Sequence, residues 1–206
     1  MELADVLRRH PAVWVVEDDS IGPLDPVLPP SLGGELPDRV VRIRSYCKAY
    51  GIDVRTSVLG GSRELLDRAM KMRSHGVGSN SRILQNTLAH LIGSADAARA
   101  VSVAHERYAS RRTSLLNALI DRGIEAFAGP HSLVVWVTVS DETAALVALA
   151  RQGISVGAGS RSFVEAPERQ LLRLSATQLP DDREQIGQLA DIVAGAVAES
   201  SREFFD

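Results

Sequence analysis

The sequence predicts an α/β fold in which a small sheet with flanking helices is followed by a compact α+β unit. Short apolar runs rich in β-branched residues alternate with amphipathic stretches, a pattern typical of strands and helices that pack in layers. The chain has 206 residues, which is enough for one large domain or two small ones. Its apolar fraction of 45% and charged fraction of 24% are ordinary for a globular protein.

Composition argues against several classes of function. The net charge is −3 and the basic residues are dispersed, so the chain by itself does not offer a nucleic-acid-binding surface. No apolar run approaches the roughly 18 residues that cross a bilayer, and the charged start differs from a signal peptide, so we expect a cytoplasmic protein with no membrane partner. A single cysteine, Cys47, excludes an internal disulfide, and the five histidines lack ligand spacing, so we expect no metal site.

Three strands are predicted in the first half of the chain. Residues 13–16 form a continuous apolar run, which is typical of a strand buried on both faces, and three acidic residues follow it. Further β-branched runs predict strands at residues 40–44 and 54–59. Residues 20–38 are rich in Pro and Gly and long enough for a parallel crossover, whereas residues 45–53 are too short for one. The second and third strands are therefore expected to be antiparallel.

These connections predict where functional side chains collect. The end of the second strand and the start of the third must share one edge of the sheet, and a parallel first strand would end at that edge too. Ligands usually bind beside the carboxyl ends of strands in open α/β sheets. The residues expected at this edge are Asp18, Ser45, Lys48 and Arg55.

Helices predominate in the middle of the chain, and an α+β unit closes it. Ser62 is predicted to cap a helix that Gly76-Val77-Gly78 ends, and Gly123 is predicted to end a long one. The predicted helices are residues 62–73, 81–91, 96–122, 142–151 and 182–198, the last capped by Asp181 or Asp182. The predicted strands of the closing unit are residues 133–139, 154–156 and 171–175. We place a domain boundary inside the long helix, near residue 100.

Lys48 is the strongest candidate for a residue that takes part in chemistry. It follows the end of a predicted buried strand, where an unpaired ammonium group would be costly. A lysine in a partly desolvated pocket has a lowered pKa and can form a Schiff base with an aldehyde. The alternative interpretation is an ordinary loop lysine whose ammonium reaches into solvent.

The motif around Lys48 resembles that of a known enzyme family. In Ser45-Tyr46-Cys47-Lys48 a serine precedes the lysine by three residues, and Arg55 follows it by seven. Together with the acidic residues 17–19, this order resembles the second half of fold-type-I enzymes that depend on pyridoxal 5′-phosphate (PLP), in particular class I and II aminotransferases. The resemblance implies that Lys48 forms a Schiff base with PLP. It also implies that Ser45 and Arg55 hold the cofactor phosphate and that Asp18 contacts the pyridine nitrogen.

The resemblance extends towards the C-terminus. Residues 153–159 (GISVGAG) resemble the family's GV.V.PG segment, and residues 172–175 (LRLS) resemble its lRls strand. The likeness implies that Arg173 grips the α-carboxylate of the substrate through a bidentate pair. The fold implied is the C-terminal part of the PLP-dependent transferase, aspartate aminotransferase-like fold. Residues 1–100 would be a partial large domain that binds PLP, and residues 101–206 a small domain that includes the long linking helix.

A closer likeness concerns residues 14–19, 42–46 and 51–55, which resemble the aminotransferase-like domain of MocR-type regulators in the GntR family. That likeness implies a homodimer that binds an amino acid or amine, and contact with DNA only through a winged-helix domain that these residues do not include. The tyrosine that many members place three residues after the aspartate is Ile21 here, which indicates weak or no transamination.

Three hypotheses follow for the function. The first is a PLP-dependent aminotransferase-like module, the C-terminal portion of a larger protein, because the resemblance puts the rest of the cofactor pocket upstream of Met1. The second is a non-catalytic domain of a transcription regulator that senses an effector or dimerises. The third is a remnant that folds without binding a ligand.

Overall fold

A computed structural model describes residues 2–76, 78–165 and 167–202 of the chain. The chain divides into two compact units within its longest helix: the first ends at His105 and the second begins at Glu106. Each unit has its own sheet, three-stranded in the first and four-stranded in the second.

The first unit contains a sheet of order β1-β2-β3. Its elements are α1 (Glu2–Arg8), β1 (Val15–Asp19), β2 (Val40–Ser45), α2 (Cys47–Tyr50), β3 (Ser57–Gly61), α3 (Arg63–Arg73), α4 (Arg82–Gly93) and the first part of α5 (Ala95–Ile120). β2 is antiparallel to β3, which confirms the predicted pairing, and β1 is parallel to β2, the arrangement that the long crossover permits.

Two predictions about these strands are wrong. β1 begins at Val15 rather than at residue 13 and includes all three acidic residues, and Val16 is 60% exposed, so the strand is not buried on both faces. The reason is that only one face of β1 is covered by described residues. β3 begins at Ser57, because Ile52–Val54 form a 3-10 turn instead of the first residues of the strand.

A charged network holds the crossover between β1 and β2 against the sheet. Glu17 accepts hydrogen bonds from the Leu32 amide at 2.7 Å, the Ser31 hydroxyl at 2.8 Å and Arg42 Nε at 2.8 Å. Arg42 also donates to the carbonyl of Pro29 at 3.0 Å. Burial raises the pKa of the Glu17 carboxyl, but these hydrogen bonds together bring that pKa below its ordinary value of 4.5. Glu17 is therefore charged and structural.

The helices that follow β3 begin where the sequence predicts. Ser62 accepts a hydrogen bond from the Leu65 amide at 3.5 Å, and Ser81 accepts one from the Leu84 amide at 3.3 Å, so both serines cap their helices. The predicted break at residues 76–78 includes Val77, which lies outside the described residues.

The second unit is built on an antiparallel sheet of order β4-β5-β7-β6. Its elements are the remainder of α5, β4 (Ala126–Phe127), β5 (Val134–Val139), α6 (Glu142–Arg151), β6 (Gly157–Ala158), β7 (Gln170–Ser175) and α7 (Arg183–Arg202). The strand predicted at residues 154–156 is wrong, since pairing with β7 begins only at Gly157. One hydrophobic cluster joins the helices to the sheet, and its fully buried members include Leu115, Leu149, Leu172 and Val193.

Asp181, before α7, accepts hydrogen bonds from two arginines of α5. Arg107 donates to both carboxylate oxygens, and Arg111 Nε donates at 2.8 Å. The hydrogen bonds from Arg107, followed by those from Arg111, lower the pKa of Asp181 from 3.8 to about 2. The helix cap is Asp182, which accepts a hydrogen bond from the Glu184 amide at 2.7 Å.

Among the described residues, no helix is both long enough and apolar enough to cross a membrane. Within the same residues, no group of three or more His, Cys, Asp or Glu side chains could hold a metal ion.

Candidate functional site

Asp18 and Ser45 share one face of the three-stranded sheet. Asp18 lies opposite Ile43 in the parallel pair, and Ser45 follows Ile43 by two residues, so strand alternation puts both side chains on the same side. Val16 and Leu59 lie on this face too, and Leu59 is 39% exposed. The candidate site is therefore on an open and partly apolar surface.

The two aspartates at the end of β1 have different surroundings. Asp19 is buried, and its carboxylate accepts hydrogen bonds from the Gly22 amide at 2.9 Å and from Arg44 Nη1 at 2.6 Å. Asp18 is exposed, and no described residue forms a hydrogen bond or ion pair with its carboxylate. Asp19 thus stabilises the turn, whereas the Asp18 carboxylate remains available to a ligand.

Lys48 lies on α2, the short helix directly after β2. Its Nζ donates a hydrogen bond to the carbonyl oxygen of Ser20 at 2.8 Å, which brings the ammonium to the end of β1, two residues beyond Asp18. The expectation of a desolvated lysine is wrong for the described residues, since Lys48 is exposed. Its position is set by the Ser20 carbonyl and not by burial.

A close backbone contact joins the ends of β1 and β2. Gly22 has φ +61°, and a Cβ atom there would lie 1.9 Å from the carbonyl oxygen of Ser45, so only glycine fits. This contact holds the turn that carries Ser20 against the end of the strand that carries Ser45. Neither Gly22 nor Ser20 was predicted to contribute to the site. The glycine three residues after a strand end was the available signal for a tight turn.

Arg55 occupies a strained position at the start of the third strand. It has φ 42° and ψ 34°, which makes it the one non-glycine residue with positive φ among those that the structure describes. This conformation costs roughly 1 kcal/mol or more for a residue with a side chain. The Tyr46 amide donates to the Thr56 carbonyl at 3.2 Å, so the backbones beside Arg55 and Ser45 lie at the same sheet edge, as expected.

Arg55 is one of the residues that line a cavity of about 220 Å³. The polar residues that line it are Arg55, Thr56, Ser57, Arg73, Asn80, Ser81 and Gln85. The residues from α3 onward in this set were not predicted to lie near Arg55, because nothing in their local pattern indicates a tertiary neighbour.

Arg173 belongs to the second unit, on β7 opposite Trp136 and Gly157. It is exposed, and within the described ranges its guanidinium forms no hydrogen bond or ion pair. A Cβ atom at Gly157 would lie 3.3 Å from the Arg173 Cβ, so the glycine lets β6 approach the arginine closely. The guanidinium is thus available to an anionic partner.

The structure is therefore that of an α/β protein with a lysine at the carboxyl edge of its sheet. The family model described as aminotransferase class I and II matches residues 3–191, which is most of the chain. The chain belongs to this aminotransferase family. No curated protein matches it at a significant level.

Solved aminotransferases have the same fold. An aspartate aminotransferase mutant from Thermus thermophilus, complexed with tryptophan, is 21% identical with a TM-score of 0.77, over 94% of this chain and 50% of that one. An aromatic aminotransferase from Pyrococcus horikoshii is 15% identical with a TM-score of 0.81, over 97% of this chain and 55% of that one. An alpha-aminoadipate aminotransferase from Thermus thermophilus, complexed with N-(5′-phosphopyridoxyl)-L-leucine, is 18% identical with a TM-score of 0.78, over 96% of this chain and 53% of that one.

These likenesses confirm the predicted fold class, part of the aspartate aminotransferase-like fold. The chain spans about half the length of the structures that it matches.

Proposed function

We propose that this chain is part of a PLP-dependent protein that transfers amino groups, with Lys48 as the point of attachment of the cofactor. The observation that carries the proposal is the convergence of Lys48, Asp18 and Ser45 at one edge of the sheet, where the Asp18 carboxylate has no partner among the described residues. Family membership supports it, and so does the phosphopyridoxyl ligand of one structural neighbour.

The chemistry of these side chains fits PLP. Asp18 offers a carboxylate that no described residue of the chain binds, which suits a protonated pyridine nitrogen, and the Ser45 hydroxyl and Arg55 guanidinium are donors for a phosphate. Bound PLP supplies an electron sink for bonds at the α-carbon of an amino acid. The Ser20 carbonyl holds the Lys48 nitrogen at the end of β1, two residues beyond Asp18, and Gly22 fixes the turn that carries this carbonyl.

The second unit is proposed to bind the substrate carboxylate. The guanidinium of Arg173 is open to an anion and has the fork geometry that matches a carboxylate. We assign residues 1–100 to a partial PLP-binding large domain and residues 101–206 to the small domain with its linking helix.

The working protein is proposed to be larger than this chain and dimeric. The face that carries Asp18 also exposes Val16 and Leu59, which is unfavourable unless further polypeptide covers it. The matched structures are about twice as long as this chain, which supports a larger protein.

A second candidate is an effector-sensing or dimerisation domain of a MocR-type regulator, which would bind an amino acid or amine without turnover. The observation that favours it is Ile21, a half-buried aliphatic residue where many aminotransferases have a tyrosine. An aliphatic side chain offers no hydroxyl to hydrogen-bond a cofactor.

Trapping with borohydride tests the attachment point. The sequence contains two lysines, Lys48 and Lys71, and both are exposed. We expect reduction in the presence of PLP to modify the peptide that contains Lys48, and the Lys48→Ala variant to lose this product. Lys71→Ala is the matched control and should retain it. Equal modification of both lysines, or none, contradicts PLP binding by this chain.

Turnover separates the two candidates. A protein that is incubated with PLP without borohydride, and whose cofactor absorbance changes reversibly on addition of amino acids and 2-oxo acids, is an aminotransferase. Saturable amino-acid binding without such a change supports the regulator.

A further inference from the structure

We propose that His105 is a positioning residue for Lys48, because it holds the turn whose backbone carbonyl accepts the hydrogen bond from the lysine. His105 lies on α5 and is not among the proposed cofactor residues. Its ring Nδ1 lies 3.0 Å from the carbonyl oxygen of Leu24, in the turn that follows β1. The inference rests on the proposed function, since the role of Lys48 as the attachment point belongs to that proposal.

The contact follows from the position of His105 on its helix. His105 follows the buried Val101 by four residues, and residues four apart share one face of an α-helix. His105 is accordingly half-buried. A carbonyl oxygen can only accept a hydrogen bond, so the Nδ1 atom that faces Leu24 carries the hydrogen and donates it. The contact thereby fixes which nitrogen of the neutral ring is protonated.

Leu24 needs a donor because it is buried. The residue is 2% exposed, and a buried backbone carbonyl without a hydrogen-bond partner destabilises the folded state. Leu24 ends the 3-10 turn Gly22–Leu24, whose first residue fits against the Ser45 carbonyl only as glycine. The donor comes from 81 residues further along the chain, so it holds the C-terminal end of this turn against α5.

The Ser20 carbonyl lies in a segment that is held on both sides. On the N-terminal side the Asp19 carboxylate accepts a hydrogen bond from the Gly22 amide at 2.9 Å, and on the C-terminal side His105 holds the end of the turn. The Lys48 ammonium donates to the Ser20 carbonyl at 2.8 Å, so a displacement of the turn displaces the ammonium. Supporting residues must keep a reacting group within about 0.5 Å of its productive position.

Three variants test the role of His105. His105→Leu removes the donor. His105→Asn retains one, because the amide nitrogen of asparagine is bonded to Cγ as Nδ1 of histidine is. His90→Leu is the matched control, since His90 is an exposed histidine on α4 in the same unit. Urea unfolding checks that each variant is folded under the conditions of the measurements.

Hydrogen exchange without PLP reports on the turn itself. The Gly22 amide donates to Asp19, and the Asp25 amide donates to the Gly22 carbonyl at 3.2 Å. We expect both amides to exchange about 2- to 10-fold faster in His105→Leu than in the unmodified chain, which is the range expected for the loss of one hydrogen bond. His105→Asn should recover part of the protection, and His90→Leu should leave it unchanged.

Trapping with PLP and borohydride reports on the lysine. We expect the ratio of adduct at Lys48 to adduct at Lys71 to fall about 2- to 10-fold in His105→Leu and to recover in His105→Asn. The ratio in His90→Leu should equal that of the unmodified chain. The ratio separates positioning from a general loss of stability, because unfolding exposes both lysines alike.

An unchanged lysine ratio in His105→Leu overturns the proposal, whether or not the turn exchanges faster. The failure of the proposed function looks different, since the unmodified chain would then form no PLP adduct at Lys48. In that case reductive methylation with formaldehyde and cyanoborohydride, which modifies accessible lysines without PLP, replaces the trapping. A Lys48-to-Lys71 methylation ratio that changes in His105→Leu and recovers in His105→Asn supports the positioning role, and an unchanged ratio refutes it.

Discussion

The two units differ in how far their apolar side chains are buried. In the second unit a single cluster of leucines, valines and alanines closes between the helices and the sheet, and few large apolar residues are exposed. In the first unit, exposed valines, leucines and methionines outnumber the buried ones among the described residues. The second unit is thus stabilised by its own core, whereas the first depends more on polar networks and tight turns.

The proposed cofactor residues and the well-packed core lie in different units. Two of the cofactor residues proposed in the first unit, Asp18 and Ser45, lie on its open sheet face, which also exposes Val16 and Leu59. Arg173 lies on a strand whose neighbours Leu172 and Leu174 are buried. A site on the first unit is therefore sensitive to what covers that face, and Arg173 is held by a packed strand.

The largest expected effect is in the core of the second unit. Leu172→Ala removes a fully buried side chain and should lower the free energy of unfolding by about 3 to 5 kcal/mol. The control is Leu59→Ala on β3, which is partly exposed and should cost about 1 kcal/mol or less. Urea unfolding followed by fluorescence measures both, with Trp136 as reporter in the second unit and Trp14 in the first. Equal losses would contradict the comparison.

The next largest effect is expected in the turn after β1, which contains Ser20 and Gly22. Gly22→Ala places a methyl group on the Ser45 carbonyl and demands a left-handed alanine, which should cost about 1 to 3 kcal/mol. The yield of the reduced PLP adduct at Lys48 should also be lower in Gly22→Ala than in the unmodified chain. Gly34→Ala is the control, because no atom lies within 4 Å of the added Cβ and its φ is ordinary. Normal stability of Gly22→Ala would show that this turn is not constrained.

A smaller effect is expected from the charged network of Glu17 and Arg42, which holds the crossover between β1 and β2. Glu17→Gln leaves the partly buried Arg42 without its carboxylate and should cost about 1 kcal/mol near neutral pH. The folded-state pKa of Glu17 is lowered, so its contribution is present above pH 4.5 and is lost as the pH falls through the folded value. Thermal melts at several pH values measure this. Glu64→Gln, in an exposed pair with Arg68, should change stability by about 0.5 kcal/mol or less.

The smallest expected effect is at Asp181 in the second unit, because its carboxylate is solvent-exposed. The pKa of about 2 lies below 3.8, so the contribution of Asp181 is complete above pH 3.8 and disappears as the pH falls towards 2. The difference in melting temperature between Asp181→Asn and the unmodified chain should shrink over that range. Asp182→Asn keeps a capping side chain and controls for the amide. A difference that does not depend on pH would contradict the Arg107 pairing.

Local patterns predicted most elements because their causes are local. Ser62 and Ser81 cap helices through their own hydroxyls, and α6 has the bounds that its apolar spacing predicts. The short connection after β2 predicted an antiparallel neighbour because the chain cannot cross back in that length. The strand bounds were less accurate, since pairing partners decide where a strand begins.

The residues of the candidate site were predicted to share one edge of the sheet, and their roles came only from the family resemblance. Lys48, Ser45 and Asp18 were named from their order, and whether they bind PLP stays a prediction. The Ser20 carbonyl and the Gly22 contact were not found, because a backbone acceptor and a van der Waals limit leave no residue-type signal. Arg73 was not found either, since its proximity to Arg55 depends on how α3 and α4 fold back on β3.

By itself, the sequence determined the α/β class, the antiparallel pairing of the second and third strands, the Ser62 helix cap and the family resemblance, because propensities, loop lengths and side-chain types act over a few residues. Only the tertiary structure decided which strand-end aspartate is saturated and which is open, that Lys48 is held by a carbonyl in an exposed position, and that Arg55 and Arg73 line one cavity. Those features depend on distances between segments that are far apart in the chain, and long-range packing sets such distances.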